Sequence, residues 1–140
     1  MNEQWYARAV LFVADIDHTL DFYDGRLEFT QNWRFEEAGK AFVAQADRQG
    51  CALIFSSQWP GKVGKGLMLI SLDLDTPLER LSDEVTVALD GLRAEFESKG
   101  VEVQDGWWGY RVLVVTDPDG NELYFNYPDA SEGPRTVVTQ

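Results

Sequence analysis

Four residues of a nine-residue stretch return in place 70 positions later, and few architectures accommodate that. Asp47-Arg-Gln-Gly50-Cys-Ala-Leu53-Ile-Phe55 lies over Asp117-Pro-Asp-Gly120-Asn-Glu-Leu123-Tyr-Phe125, with aspartate, glycine, leucine and phenylalanine in register. A second block, Phe22, Leu27, Glu28 and Phe29, lies over Phe96, Val101, Glu102 and Val103 at an offset of 74. Two blocks in the same order point to a duplicated structural unit. The later copy sits in the clearest local signal of the chain, Tyr110–Tyr127. There two β-rich runs, RVLVV and ELYFNY, flank Asp117-Pro118-Asp119-Gly120. Proline presets φ for the first central position of a turn and glycine accepts the positive φ that returns the chain to a strand, so the stretch predicts a hairpin.

The rest of the chain falls into place around the repeat. Tyr6–Ala14 is an apolar run of strand length. A helix is predicted from about Asp17 to Asp24, capped by Asp15 or Asp17, stopped by Gly25, with Ile16, Leu20 and Tyr23 or Phe22 inward. Leu27–Glu37, Lys40–Ala46 and Cys51–Ser56 predict three strands. Gln58–Gly66, QWPGKVGKG, predicts a linker or mobile loop. Leu67–Leu74 predicts another strand, and Asp83–Lys99 a helix whose Val85, Leu89, Leu92 and Phe96 form an inward stripe. Ser82 or Asp83 would cap it and Lys99-Gly100 end it. Val101–Gly106 predicts a strand, Trp107-Trp108-Gly109 a turn, and the hairpin closes the fold. The tail, 128–140, is polar and predicted to be loosely held. The order is βαβββ twice, an α+β class of two modules, about 6–57 and 66–127, in a single domain. Two curved mixed sheets built this way would enclose a cleft suited to a small ligand.

Composition narrows the partners. With 24 Asp and Glu against 12 Lys and Arg, the net charge of −12 argues against nucleic acid and anionic membranes. It leaves room for a cationic ligand. No apolar run approaches the ~20 residues of a membrane span. The single cysteine, Cys51, excludes an internal disulfide. The opening residues MNEQWYAR lack the basic-then-apolar order of a signal peptide, which predicts a cytoplasmic protein.

The duplicated βαβββ pattern resembles the vicinal oxygen chelate superfamily, which includes glyoxalase I, extradiol dioxygenases and the fosfomycin and bleomycin resistance proteins. Val10–Phe29, VLFVADIDHTLDFYDGRLEF, is similar to that family's first strand and helix, and Thr116–Phe125, TDPDGNELYF, to its closing hairpin. The resemblance covers residues 6 to 127 and implies metal ligands on four strands, usually His, Glu or Gln. Those positions fall near Arg8, Ile54, Met68 and Tyr124, none of them a usual ligand. No metal and no cofactor are therefore expected, and no catalytic residue is assigned. His18 lies among Asp15, Asp17 and Asp21 in a helix's first turn, where acids simply favour the dipole. Cys51 has no histidine partner, and Glu102 and Glu122 read as solvent-facing.

Aromatic residues carry the functional expectation. Trp33, Phe42, Trp59, Trp107, Trp108, Tyr110 and Tyr124, with Arg8, form the candidate ligand-binding set. Adjacent Trp107 and Trp108 cannot both face one way on extended backbone, so at least one leaves the core. Such rings suit a planar or cationic ligand. The resemblance implies a metal-free small-molecule binder of the bleomycin-resistance kind, working as a homodimer. That group's first-strand proline is absent from Trp5–Ala14. The alternative is a glyoxalase- or dioxygenase-type enzyme with an atypical metal site, and a third reading is a catalytically silent interaction module.

Overall fold

A computed structural model describes residues 2–128, so all of the predicted tail except Pro128 lies outside the described residues. The chain divides into two compact units, 1–66 with 118–121, and 67–117 with 122–140. The first unit carries β1 (Ala9–Phe12), α1 (Ile16–Gly25), β2 (Thr30–Glu37), β3 (Lys40–Arg48) and β4 (Cys51–Ser56). The second carries β5 (Leu67–Ile70), α2 (Leu78–Ser98), β6 (Val103–Trp107), β7 (Arg111–Thr116) and β8 (Glu122–Asn126). Each sheet has four strands, ordered β1-β4-β3-β2 in one and β5-β8-β7-β6 in the other. The first and last strand of each unit pair in parallel and the other neighbours antiparallel. The repeat in sequence is thus a repeat in topology.

Helix α1 starts where a carboxylate can meet its orphan amides. Asp15 is the cap, and its Oδ1 accepts the His18 N–H at 3.0 Å. That bond, opposed by burial and aided by Lys40, holds the Asp15 carboxyl below its usual range. Ile16, Thr19, Leu20 and Tyr23 form the buried stripe. Tyr23 packs edge-on against Phe29 and tilted on Phe55, with ring centroids 5.7 and 4.5 Å apart. In α2, Val85, Leu89 and Phe96 are buried and Leu92 is half-buried. Phe96 lies 6.0 Å from Phe125 of β8. The helix ends as its sequence foretold, Gly100 and Val101 returning N–H groups to Glu97 and Phe96.

Several boundaries differ from the sequence reading. Helix α2 begins at Leu78 rather than Asp83, after Pro77, which needs no N–H there. Its extra turn was hidden because Leu78 is exposed and adds nothing to the inward stripe. Ser82 is an interior residue whose carbonyl accepts the Thr86 hydroxyl. Strand β1 is shorter than Tyr6–Ala14, for it is an edge strand whose only neighbour, β4, ends at Ser56, the partner of Phe12. Strand β5 stops at Ile70, its last residue paired with β8.

The glycine-rich segment 58–66 is not a free linker. Pro60–Lys62 form a short 3-10 turn, the Gly64 N–H donates to the Phe12 carbonyl, and the Gly66 N–H donates to Asn121 Oδ1 at 2.8 Å. Asn121 and its turn, Pro118–Asn121, belong to the first unit although they join β7 to β8. Asn121 is wholly buried there, and its Nδ2 also donates to Phe12 O at 3.1 Å. Gly64 has φ +75°, and a Cβ on it would lie 1.9 Å from the Asp119 carbonyl oxygen. Only glycine fits this approach of two backbones.

Candidate functional site

Alternation along a strand sends successive side chains to opposite faces, and α1 marks which face is which. Arg34 of β2 reaches Asp17 at 2.9 Å, and Lys40 of β3 reaches Asp15. The opposite, far face of the first sheet carries the row Val10, Ile54, Gln45 and Trp33, matched by the pairings β1–β4–β3–β2. The next row holds Phe12, Ser56, Val43 and Phe35.

Gln45 organises this far face. It is 6% exposed, so its amide must be satisfied internally. Its Oε1 accepts from Arg8 Nη1 at 2.7 Å and from Trp33 Nε1 at 3.0 Å, and its Nε2 donates to Asp47 Oδ1 at 2.8 Å. Asn32 Nδ2 donates to the other Asp47 oxygen. Asn32 falls in a bulge of β2, between Gln31 and Trp33, which frees it to make this bond. One buried amide therefore fixes a guanidinium and an indole at a common point. Around it, Trp33 stands 5.4 Å from Phe35, and Phe12 stands 5.6 Å from Trp59. Lys62 lies over both Phe12 and Trp59, at 5.3 and 5.5 Å. The far face can thus offer aromatic surface, a fixed guanidinium and an ammonium.

In the second unit, Arg93 of α2 meets Asp105 at 3.0 Å, which marks the helix side of that sheet. The far row is Leu69, Tyr124, Val114 and Gln104. Tyr124 is buried, and Trp108 packs edge-on against it at 5.6 Å. Burial, then the Glu122 carboxylate, pushes the Tyr124 phenol up, so at neutral pH it keeps its proton. Tyr110 is half-buried and takes the Trp108 N–H on its carbonyl.

Not all the predicted site residues share these faces. Phe42 falls at a bulge of β3, where Phe35 pairs with Val43 and Glu36 with Ala41, so alternation does not place it on the row of Trp33. Trp107 lies in β6 on the α2 side with Asp105 and is 5% exposed, whereas Trp108 is 42% exposed. One of the two adjacent indoles is core and the other leaves it, as alternation requires. Met68 pairs with Leu123 and faces α2, so the counterpart of Val10 is Leu69. The offset relating the first strands is therefore 59, one less than the 60 that separates Arg8 from Met68.

That register decides the fit of a family-type metal. Ile54 pairs with Val10 rather than with Arg8, which precedes β1, and Tyr124 pairs with Leu69 rather than with Met68. Of these paired side chains, Val10, Ile54 and Leu69 have no lone pair to donate, and Tyr124 is a protonated phenol. The residues do not fit such an ion. Among the described residues, no three His, Cys, Asp or Glu side chains are grouped to hold a metal. His18 is exposed in the first turn of α1. Burial, then Asp47, pushes the Cys51 thiol up, away from the thiolate a nucleophile needs. A hollow of about 300 Å³ opens between α1 and β2, walled by Asp17, Asp21 and Asp24. Its one guanidinium, Arg34, is already paired with Asp17 and Glu36.

Gln45, Asn32 and Asp47 escaped the sequence reading. The available signal was a lone amide at Gln45 between Ala44 and Ala46, in a strand otherwise apolar from Ala41. A buried polar residue among small apolar ones implies a partner network.

These features define a class: an α+β protein of two βαβββ repeats, each with a helix on one sheet face and aromatic residues on the other. The chain belongs to the Glyoxalase/Bleomycin resistance protein/Dioxygenase superfamily, whose family model matches residues 5–125. No curated protein matches it. Among solved structures it is similar to the bleomycin-binding protein of bleomycin-producing Streptomyces verticillus, complexed with copper(II)-bleomycin. That likeness has 18% identity and a TM-score of 0.66 over 92% of this chain and 100% of the other. An antibiotic-binding protein from Streptomyces sp. CB03234 has 19% identity and a TM-score of 0.62, over 91% of this chain and 100% of that one. The fosfomycin resistance protein of Mesorhizobium loti has 8% identity and a TM-score of 0.59, over 93% and 96%. At these identities the likeness is one of fold. No helix among the described residues is long and apolar enough to cross a membrane.

Proposed function

We propose that this protein is a metal-free binder of planar aromatic small molecules, of the antibiotic-sequestering kind, with its seat on the far face of the first sheet. The observation that carries the reading is Gln45, whose single oxygen holds both Arg8 and Trp33 on a face that also presents Phe12, Phe35 and Trp59. A buried polar hub that rigidifies an aromatic surface lowers the entropic cost of ligand capture. Trp108 on Tyr124 gives the second unit an aromatic surface of its own. Similarity to two structures whose names record antibiotic binding supports the same class of ligand.

A homodimer in the cytoplasm is part of this reading. Exposed Leu67 and Leu69 of the second unit supply apolar surface that a second copy would cover, and sedimentation of the purified chain measures it. Binding is tested by titrating tryptophan fluorescence with bleomycin and with a panel of planar aromatic antibiotics. Saturable quenching that Trp33→Phe diminishes supports the proposal, and a flat response across the panel overturns it. Elemental analysis of the same preparation tests the metal-free part. Stoichiometric, tightly held zinc, nickel, iron or manganese would favour the enzyme alternative instead.

A further inference from the structure

We propose that Arg8 is an anchor for a carboxylate, so that the ligand is an aromatic acid rather than a cation; this rests on the far face of the first sheet being the ligand seat. In a chain with 24 acidic side chains, several guanidinium groups pair with carboxylates, although exposed Arg26 has no such partner among the described residues. Arg34 pairs with Asp17 and Glu36, Arg80 with Glu84, Arg93 with Glu97 and Asp105, and Arg111 with Asp105. Arg8 has no carboxylate partner among the described residues. Its bond goes to the neutral Gln45 Oε1, and its Cζ lies 5.7 Å from the Tyr6 ring centre. Gln45 therefore positions the charge without neutralising it.

The nearest carboxylate of the network is turned to other donors, since Asp47 is bonded by Asn32 and Gln45. Arg8 Nη1 is the atom committed to Gln45. The remaining N–H groups of an exposed guanidinium keep the planar fork that matches a carboxylate with two parallel bonds. Trp33 donates to the same oxygen, so the positive group and the indole are held in fixed relation. An aryl carboxylate can lay its ring on this aromatic surface and its carboxylate on Arg8. Lys62, over Phe12 and Trp59, adds a second positive group beside that face. The net charge of −12 leaves room for a cation. Distant charges are screened over about 8 Å at physiological salt, however, so the groups in contact with the ligand decide.

The test is calorimetric titration of the full chain with three probes of one shape: 2-naphthoate, 2-naphthamide and 2-naphthylmethylammonium. The unmodified protein should bind the carboxylate about tenfold more tightly than the amide, and the ammonium most weakly. Arg8→Gln should erase the preference for the carboxylate, which should then bind no more tightly than the amide. Arg8→Lys, which keeps the charge but loses the fork, should retain part of the preference. Equal binding of carboxylate and amide, or a preference that survives Arg8→Gln in a variant with unchanged circular dichroism, overturns the anchor and leaves the aromatic seat standing. Failure of all three probes to bind overturns the seat and the anchor together.

Discussion

Replacing Asn121 tests how the turn Pro118–Asn121 is held within the first unit. The side chain is wholly buried; its Oδ1 accepts the Gly66 N–H at 2.8 Å and its Nδ2 donates to Phe12 O at 3.1 Å. In Asn121→Ala the Gly66 N–H loses its side-chain acceptor, at a cost of about 1–3 kcal/mol for an unsatisfied buried donor. The Phe12 carbonyl still accepts the Gly64 N–H, so that loss is nearer the ~1 kcal/mol of an ordinary bond. The sum is about 3 kcal/mol. With a urea dependence near 2 kcal/mol per molar, the unfolding midpoint should fall by roughly 1.5 M. Asn121→Asp keeps the shape and the Gly66 bond but turns a second oxygen toward the Phe12 carbonyl. Its carboxyl would have a raised pKa in the folded state. The penalty is therefore absent below the unfolded value near 4 and grows as pH rises toward the folded one. Relative to the parent protein, the aspartate variant should regain stability on acidification while the alanine variant's deficit stays flat. A shift under ~0.5 kcal/mol for alanine, or a pH-independent deficit for aspartate, refutes the assigned bonds.

Two further substitutions follow from the same geometry. Gly64→Ala drives a Cβ to 1.9 Å from a backbone oxygen at a positive φ, and should cost more than ~3 kcal/mol or prevent folding, read by urea denaturation. Gly61→Ala in the same loop, with nothing within 4 Å of its Cβ, should be tolerated. Tyr127 is pushed up to about 12 by burial and by its 2.7 Å bond to Asp90, with Arg111 opposing. A raised folded value means its contribution is complete below pH 10 and is lost as pH rises toward 12. The stability gap between the parent and Tyr127→Phe should therefore narrow over that window by on the order of 2 kcal/mol, followed by chemical denaturation. A constant gap would contradict the assignment.

The duplicated architecture was legible because it rests on short-range chemistry. Asp15 had to cap a helix, Pro118 and Gly120 had to turn, and the 3.6-residue stripe through Val85, Leu89 and Phe96 had to face a core. The first turn of α2 was illegible because Leu78 buries nothing. Segment 58–66 looked free because its restraint comes from Asn121, 55 residues beyond Gly66. The site was read less well for a related reason. Aromatic count does not say which face a ring occupies, and a single register step separates Trp108 from Trp107. Gln45 was missed because its role depends on Arg8 and Trp33, which reach it only across the assembled sheet.

The place where a ligand makes contact tests the proposed seat most directly. The indole N–H signals of Trp5, Trp33, Trp59, Trp107 and Trp108 can be followed by NMR during titration with 2-naphthoate or a planar aromatic antibiotic. Binding on the far face of the first sheet predicts a saturable shift of Trp33, whose N–H donates to Gln45, with Trp107, buried on the α2 side, unmoved. A Trp33 signal that stays fixed while the ligand binds, with backbone shifts gathered instead at Asp17, Asp21 and Asp24, would contradict it.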